Sequence, residues 1–351
     1  MVKQAGTDRI LLARKHELAR LITEMHFRTH SGHKKNYDIE GRIKYHEDTL
    51  HHLGHLAQSI RSGDPGMFSD YVEWSNSMLH SRKIPATELA DNLEFMSRSS
   101  SQLLDKDQAK EVDDYLKKGL AVLENKVAHP ATGLSEENPL LPYAKTYLSL
   151  LLEGEKERAY TLIKEVLDHG ASIEDVYEYI FEATLHEIGR LWQINVITIA
   201  HEHYFSAATQ LIMTRLFTYI FNAEKKTRKL VSCTISGDLH EIGIRMVSDF
   251  FEMNGWDTYY MGANMPANEL VHSLYEQDAD ILAISVTIPS YLNKAEDLIS
   301  RIRGEKNLDF LKILVGGYTF GRIPDLWEKI GADASAANAR HAVSVAKSMM
   351  S

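Results

Sequence analysis

The hydrophobic residues follow one pattern before about residue 228 and a different pattern after it. Before it, apolar residues recur every three to four positions over long stretches, as in amphipathic helices. This pattern predicts five helices in residues 8–126 and about four more between residues 140 and 222. After it, short β-rich runs alternate with helical stretches, which predicts a parallel sheet covered by helices.

The predicted strands are residues 230–236, 257–262, 281–287, 312–317 and 332–337, with helices predicted between them and one over 324–330. The stretch 129–139 contains two prolines and a glycine, which predicts a linker over 131–139. We therefore expect a multidomain α and α/β protein. Its predicted parts are an all-α domain (1–130), a four-helix domain (140–227) and a Rossmann-like parallel α/β domain (228–351).

Composition narrows the class of protein. Of the 351 residues, 44% are hydrophobic and 25% charged, as in ordinary globular proteins. Residues 131–351 hold 30 acidic against 20 basic residues, a balance that repels phosphate backbones and argues against direct nucleic-acid binding. There is no apolar run of membrane-helix length and no signal-peptide core, so a cytoplasmic protein without a membrane partner is expected. Cys233 is the single cysteine, which excludes an intramolecular disulfide.

Three short motifs each follow a predicted strand. The first is Asp-x-His-x-x-Gly. Its glycine is separated by 41 residues from the second motif, Ser-x-Thr, and 28 further residues separate that motif from the third, a Gly-Gly pair. In isolation the first motif is explained by a helix cap, a solvated histidine and close packing at the glycine. The spacing instead places all three at the carboxyl edge of one sheet, where ligands bind. The residues are Asp238, His240, Gly243, Ser285, Thr287, Gly316 and Gly317.

This combination resembles the cobalamin-binding domains of methionine synthase, corrinoid methyltransferase proteins and cobalamin-dependent mutases. The resemblance implies that His240 replaces the cofactor's own base as the lower cobalt ligand, with Asp238 as its hydrogen-bond partner. It also implies that the displaced nucleotide tail lies in a slot beside the sheet. The slot residues would be Ser285, Thr287, Gly316 and Gly317, with Tyr318 and Thr319 as further candidates.

The second helical block contains Trp192, with nine residues between it and the pair Glu202-His203. This arrangement resembles the CarH-type photoreceptors, in which a four-helix cap covers 5'-deoxyadenosylcobalamin. The resemblance implies that Trp192 and Ile199 form an apolar wall of the upper pocket, that Glu202 accepts hydrogen bonds from the adenosyl group, and that His203 contacts a partner. Ordinary core packing of the tryptophan is the alternative.

One position departs from the CarH pattern. In those repressors a histidine follows the tryptophan and captures cobalt after illumination, whereas this chain has Gln193. A bis-histidine adduct through that position is impossible. His201, His203 or water could take its place, and the sequence does not choose among them.

The N-terminal helices resemble the globin-like sensor domains of stressosome proteins and hold ten of the 17 histidines. On the second helix, the periodicity places His46 on the apolar face, His52 at its margin, and His51 and His55 pointing away. The last two could share a metal ion, but no third ligand is evident. A solvated, histidine-rich helix is the simpler interpretation.

A globin-like domain joined to a CarH-like module resembles the photocobilins, which pair cobalamin with biliverdin. The resemblance implies a bilin in the helical domain, and it would be held noncovalently because Cys233 lies in a predicted strand. The candidate contacts are His46, His52, Tyr71 and Trp74.

We therefore expect a light sensor and not an enzyme. Photolysis of adenosylcobalamin would change the conformation of the cap and the assembly of a light-dependent homo-oligomer. The signal would pass to an output protein that the sequence does not identify. This hypothesis is favoured because the chain has neither a methyltransferase domain nor a mutase barrel. One alternative is a corrinoid protein that serves separate methyltransferases. Another is a stressosome-like scaffold in which cobalamin is structural.

Overall fold

The computed structural model describes residues 6–30, 38–127, 130–220, 228–323 and 325–350. They fall into two compact units. The helical unit comprises the residues up to Pro130 together with Gln193–Asn195, and the second unit comprises Ala131–Trp192 with the residues from Val196 onward. Among the described residues, no helix has the length and apolarity needed to cross a membrane.

The helical unit contains the five helices that the periodicity predicts. Aspartates cap three of them by accepting hydrogen bonds from first-turn amides: Asp38, Asp64 and Asp105. The core is apolar and draws on all five helices, with Leu18, Leu56 and Phe68 fully buried. The globin-like resemblance stays a prediction. The helices are α1 (Thr7–Thr29), α2 (Ile39–Ser62), α3 (Pro65–Ser81), α4 (Ala86–Leu103) and α5 (Lys106–Val122).

The first part of the second unit is a bundle that we call the cap. A π-helix, Tyr177–Glu182, joins two of its helices, and such turns often occur near functional sites. Tyr147, Phe181 and Phe205 pack against one another at its centre. The cap helices are α6 (Leu141–Leu152), α7 (Lys156–Asp168), α8 (Ile173–Val176), α9 (Ala183–Gln193), α10 (Ile199–Arg215) and α11 (Phe217–Ile220).

The five predicted strands form one fully parallel sheet in the order β2-β1-β3-β4-β5. The central strands are buried on both faces, as in doubly wound folds. The fold class is thus helical with a parallel α/β domain, as predicted. The strands are β1 (Lys229–Thr234), β2 (Asp257–Tyr260), β3 (Ile281–Ser285), β4 (Lys312–Gly316) and β5 (Ala334–Ala336).

Helices connect the strands and cover the sheet. The helix predicted over 324–330 is wrong in extent, because a short helix already begins at Tyr318 and another ends at Lys329. The positive φ of Gly317, +93°, turns the chain out of β4 directly into the first of them. The helices are α12 (Ile242–Met253), α13 (Ala267–Gln277), α14 (Leu292–Arg303), α15 (Tyr318–Arg322), α16 (Leu326–Lys329) and α17 (Ala339–Met349).

The cap and the α/β domain share one hydrophobic core. Tyr177 of the π-helix packs edge-on against Phe250 of α12, and its hydroxyl donates to Asp249 at 2.8 Å. Burial raises the pKa of Asp249 to about 6. Cys233 is fully buried in β1, and burial raises the pKa of its thiol to about 12.

Candidate functional site

The three motifs meet at one edge of the sheet, as predicted. The pairing register aligns Thr234 of β1 with Ser285 of β3, and Ser285 with Gly316 of β4. Each motif begins at or just beyond these aligned positions, so the segments that follow the strands lie side by side.

At this edge, Asp238 is fully buried and holds His240. Its Oδ1 lies 2.8 Å from His240 Nδ1 and accepts from the His240 amide at 3.1 Å, while Oδ2 accepts from the Thr287 amide at 2.7 Å. Burial disfavours the charge of Asp238, but these hydrogen bonds outweigh it and lower its pKa. The carboxylate is therefore ionised and keeps a proton on Nδ1.

The other side of the imidazole faces outward. The bond to Asp238 raises the pKa of His240 against the effect of burial. The His240 side chain is 57% exposed, and the neighbouring Leu239 is 71% exposed. With Nδ1 committed to the carboxylate, Nε2 is the nitrogen available to a transition metal.

The predicted slot residues lie together, but two contribute differently from the prediction. Thr287 serves Asp238 through its backbone amide. Gly317 is required by the protein itself, because a Cβ there would lie 2.7 Å from the Val286 carbonyl oxygen. A Cβ at Gly316 would lie 3.1 Å from the Ala336 carbonyl oxygen, whereas one at Gly243 would meet nothing within 4 Å.

Thr319 identifies the slot as a polar site. It is fully buried, and its hydroxyl has no hydrogen-bond partner in the part of the chain that the structure describes. Such a group costs about 1–3 kcal/mol unless a bound molecule satisfies it. Ser285 is nearly buried beside it, and Tyr318 is 58% exposed. An outward imidazole backed by a carboxylate, together with an unsatisfied hydroxyl beside the same strands, fits cobalamin.

The metal-ligating residues of the protein also fit a metal whose other ligands belong to a cofactor. Within the described ranges, no group of three histidine, cysteine, aspartate or glutamate side chains is arranged to hold a metal ion. The His51 and His55 pair of α2 is therefore not part of such a group. A single outward histidine suits a cobalt atom whose equatorial ligands come from a corrin ring.

The cap candidates lie at the adjoining ends of two helices. Trp192 is in the last turn of α9, and Ile199, 49% exposed, begins α10. Glu202 and His203 are hydrogen-bonded at 2.6 Å, and the charge of Glu202 contributes to the raised pKa of His240. The first turn of α10 is thus electrostatically connected to the Asp238–His240 pair.

His201 has a structural role among the remaining cap histidines. Its Nδ1 lies 2.8 Å from the hydroxyl of Thr198, in the capping box that begins α10. This nitrogen therefore takes part in the capping box at the N-terminus of α10.

Three of the four bilin candidates lie together in the helical unit. His52 Nδ1 is 2.7 Å from the Tyr71 hydroxyl, and the ring of Tyr71 stacks with Trp74 at a centroid distance of 6.2 Å. His46 instead contacts Thr23, at 3.3 Å. The prediction that His55 points away is wrong: its ring stacks on Tyr71 at 3.7 Å, and burial lowers its pKa to about 3.

Two residues near the Asp238–His240 pair were not indicated by the sequence. Glu241 follows His240 directly, and its carboxylate accepts from Tyr260 at 2.9 Å and from Gln210 of α10 at 3.3 Å. The position of Glu241 inside the motif was the available indication. Gln210 had none, because it lies in a different helical block.

Comparisons with known proteins agree with this geometry. Residues 228–346 match a family model described as B12 binding domain, and residues 143–216 match a second model with the same description. The helical unit before residue 143 lies outside both matched ranges.

Relatives support the same assignment. Dimethylamine corrinoid protein 3 of Methanosarcina acetivorans is 28% identical over 198 residues, which is 56% of this chain and 87% of that protein. Its namesake from Methanosarcina mazei is 30% identical over 130 residues, 37% of this chain and 76% of that protein. The monomethylamine corrinoid protein of Methanosarcina barkeri, 22% identical, superimposes with a TM-score of 0.54 over 60% of this chain and all of that protein, which supports the fold. With these matches, the chain belongs to the corrinoid protein family, and it carries a cobalamin-binding module.

Proposed function

We propose that this protein is a corrinoid carrier that presents a methyl group to separate methyltransferases. The observation that carries the proposal is the outward imidazole of His240, held at 2.8 Å by the fully buried carboxylate of Asp238. Membership of the corrinoid family, with dimethylamine and monomethylamine corrinoid proteins among the relatives, supports this role over the light sensor expected from the sequence.

Each site residue has a role in this proposal. Asp238 keeps a proton on Nδ1 of His240, so that Nε2 offers its lone pair as the lower ligand. The slot that holds the nucleotide tail would comprise Ser285, Thr287, Gly316, Gly317, Tyr318 and Thr319, with Gly243 beside it. Cobalamin, when bound, would supply a cobalt atom that can carry a methyl group.

The cap protects the opposite face in this proposal. Trp192 and Ile199 would exclude water from the upper axial position, and the Glu202–His203 pair would supply polar contacts at the rim. In this proposal, a partner methyltransferase would reach the methyl group only after α10 moves aside.

The proposal is tested with the full chain loaded with methylcobalamin and kept in the dark. We expect a corrinoid:thiol methyltransferase to move the isotopically labelled methyl group to a thiol acceptor, with a rate that falls in His240→Ala protein. In a parallel experiment, illumination of the adenosylcobalamin-loaded chain should leave its oligomeric state unchanged in size-exclusion chromatography. Absent methyl transfer together with light-dependent assembly would contradict the carrier role.

A light sensor is the second candidate, and two observations favour it. The spacing of Trp192, Glu202 and His203 in the sequence resembles that of the CarH type, and the helices before residue 143 lie outside the matched B12-binding ranges. Here 5'-deoxyadenosylcobalamin would be the cofactor, and its photolysis would change the association of a homo-oligomer. The parallel illumination experiment decides between the two candidates.

Biliverdin would be a second chromophore of such a sensor. The contact between His52 and Tyr71, with Trp74 stacked beside them, supports a bilin at this place in the helical unit. The full chain incubated with biliverdin should then gain a red-shifted band that Tyr71→Leu abolishes and His46→Ala preserves. A spectrum identical to free biliverdin, without co-elution, excludes this chromophore.

The unsatisfied hydroxyl of Thr319 gives a separate prediction. Thr319→Val keeps the shape and removes a buried polar atom that lacks a partner among the described residues. We expect the unloaded protein to be as stable as the parent or about 1 kcal/mol more stable, and cobalamin affinity to fall about tenfold. Thermal unfolding and equilibrium titration measure the two effects, and Thr319→Ser, which retains the hydroxyl, is the matched control. Equal affinity in both variants would mean that the ligand does not use this hydroxyl.

A further inference from the structure

We propose that Gln210 of the cap, acting through Glu241, positions the imidazole of His240. This inference rests on the proposed function, in which His240 is the lower cobalt ligand. Gln210 and Glu241 would be positioning residues that connect the location of α10 with the ligand on the opposite side of the corrin.

The first observation is the pair of donors around the Glu241 carboxylate. Tyr260, the last residue of β2, donates to Oε2 at 2.9 Å. Gln210 donates from Nε2 to Oε1 at 3.3 Å. The carboxylate thus receives one hydrogen bond from the sheet and one from the cap, so it is held between two separate parts of the second unit.

The second observation is a further set of contacts from the same part of α10. Arg245, in the first turn of α12, donates to the main-chain oxygen of Gln210 at 3.3 Å and to the Thr214 hydroxyl at 2.8 Å. The Arg245 amide also donates to the Glu241 carbonyl oxygen, at 3.0 Å. Gln210 is therefore engaged twice: its side chain donates to Glu241, and its backbone accepts from Arg245.

The third observation is where these contacts act along the chain. His240 stands between Asp238, which holds its ring nitrogen at 2.8 Å, and Glu241, its peptide-bonded neighbour. The Glu241 amide donates to the Leu239 carbonyl oxygen at 3.0 Å, which closes a tight turn around the histidine. The ring of His240 is thus held by Asp238, and the backbone that carries it lies in a turn that ends at Glu241.

A movement of α10 that uncovers the upper face would break the Gln210–Glu241 hydrogen bond. Glu241 would keep its bond to Tyr260 but lose its connection to the cap, and the turn that carries His240 would gain freedom.

The experiment compares the bound and unbound states of His240 in the full chain loaded with cobalamin. Gln210→Glu places a carboxylate against the carboxylate of Glu241, and like charges at this distance repel. We expect the ratio of His-on to His-off cofactor to fall about fivefold, a change within the usual size of such contacts. The readouts are the absorption spectrum and the nitrogen splitting in the electron paramagnetic resonance spectrum of the reduced, paramagnetic cofactor.

A rescue variant and a control separate positioning from general weakening of the interface. The double variant Gln210→Glu with Glu241→Gln restores an amide facing a carboxylate, and the ratio should return toward that of the parent. Thr214→Ala removes a bond between α10 and α12 that does not involve Glu241. It should lower thermal stability without changing the ratio.

The outcomes distinguish this inference from the proposed function. If Thr214→Ala shifts the ratio as far as Gln210→Glu, or if Gln210→Glu leaves it unchanged, the positioning role is wrong. If the His-on spectrum survives His240→Ala, then His240 is not the ligand and the proposed function itself fails.

Discussion

Replacement of His240 by alanine should abolish the His-on spectrum of bound cobalamin and weaken binding by at least about 10- to 100-fold, the range found when a metal ligand loses only its hydrogen-bond partner. The expectation follows from the geometry. His240 presents its free nitrogen outward and is held by a carboxylate that has no exposed surface.

The same substitution should destabilise the protein without its cofactor. Asp238 would lose its bond to Nδ1 but keep the backbone amides of residue 240 and Thr287. A buried charge that loses one of three donors costs about 1–3 kcal/mol. Chemical denaturation of the unloaded protein measures this cost, and equilibrium titration measures the affinity.

Asp238→Asn is the informative companion variant. It keeps the shape of the side chain but no longer fixes the proton on Nδ1 of His240, so the histidine remains present with its tautomer uncontrolled. We expect an intermediate phenotype: His-on cobalamin, bound about tenfold more weakly than in the parent. An affinity as low as that of His240→Ala would assign to Asp238 a larger role than orientation.

Acidification should unfold the helical unit selectively. His26 is fully buried and His52 is nearly so, and burial lowers the pKa of each to about 4. An unfolded histidine titrates near 6.5, so between about pH 6.5 and pH 4 the unfolded state binds more protons than the folded state. The stability from these neutral histidines is fully present above pH 6.5 and is lost as the pH falls toward 4.

The expected loss is large for a unit of this size. For each histidine, a pKa lowered to about 4 corresponds to about 3 kcal/mol of stability. Small domains are stable by only about 5–15 kcal/mol. His55 acts in the same direction, with its pKa lowered to about 3 by burial. The raised pKa of Asp48, also caused by burial, acts in the opposite direction.

The second unit should respond differently. Burial raises the pKa of Asp249 to about 6 and that of Glu182 to about 7, so there the folded state binds more protons between pH 4 and these values. Both groups therefore favour the folded state as the pH falls, whereas the lowered pKa values of Asp238, Glu187 and His186 act in the opposite direction. Thermal unfolding of the full chain followed by circular dichroism should give one transition at pH 7 that separates into two near pH 4.5.

Matched variants assign the acid-sensitive transition. His26→Phe keeps an aromatic ring in the space stacked on Tyr45, where the centroids are 4.1 Å apart, and should remove about half of the pH dependence. His51→Gln changes an exposed histidine on α2 and should leave the dependence intact. Equal melting temperatures at pH 7 and pH 4.5 would show that these histidines accept protons without unfolding the helices.

The sequence predicted the features that depend on order along the chain. The five strands, the parallel sheet and the meeting of the Asp238, Ser285 and Gly316 segments at one edge all follow from β-rich runs that alternate with helical patterns. The pairing of Asp238 with His240 was implied by the resemblance of the motif to cobalamin-binding domains, and the structure places the two side chains 2.8 Å apart.

The features that were missed depend on contacts between distant segments. Periodicity gives the angle of His55 around α2, but not that Tyr71 of the next helix covers it. The reason for Gly317 lies in the carbonyl oxygen of Val286 on the neighbouring strand. The bond from Gln210 to Glu241 joins two segments 31 positions apart that the sequence assigned to different domains.

The buried thiol of Cys233 in β1 can be used to measure how often the sheet opens. Alkylating reagents need both access and the thiolate, and Cys233 offers neither while the sheet is closed, with no exposed surface and a pKa of about 12. Its rate of modification therefore measures how often β1 becomes exposed, and cobalamin binding should slow it. Because the chain has no other cysteine, one introduced on the surface of α10 would take up a fluorophore alone, so that movements of the cap could be followed in the native protein.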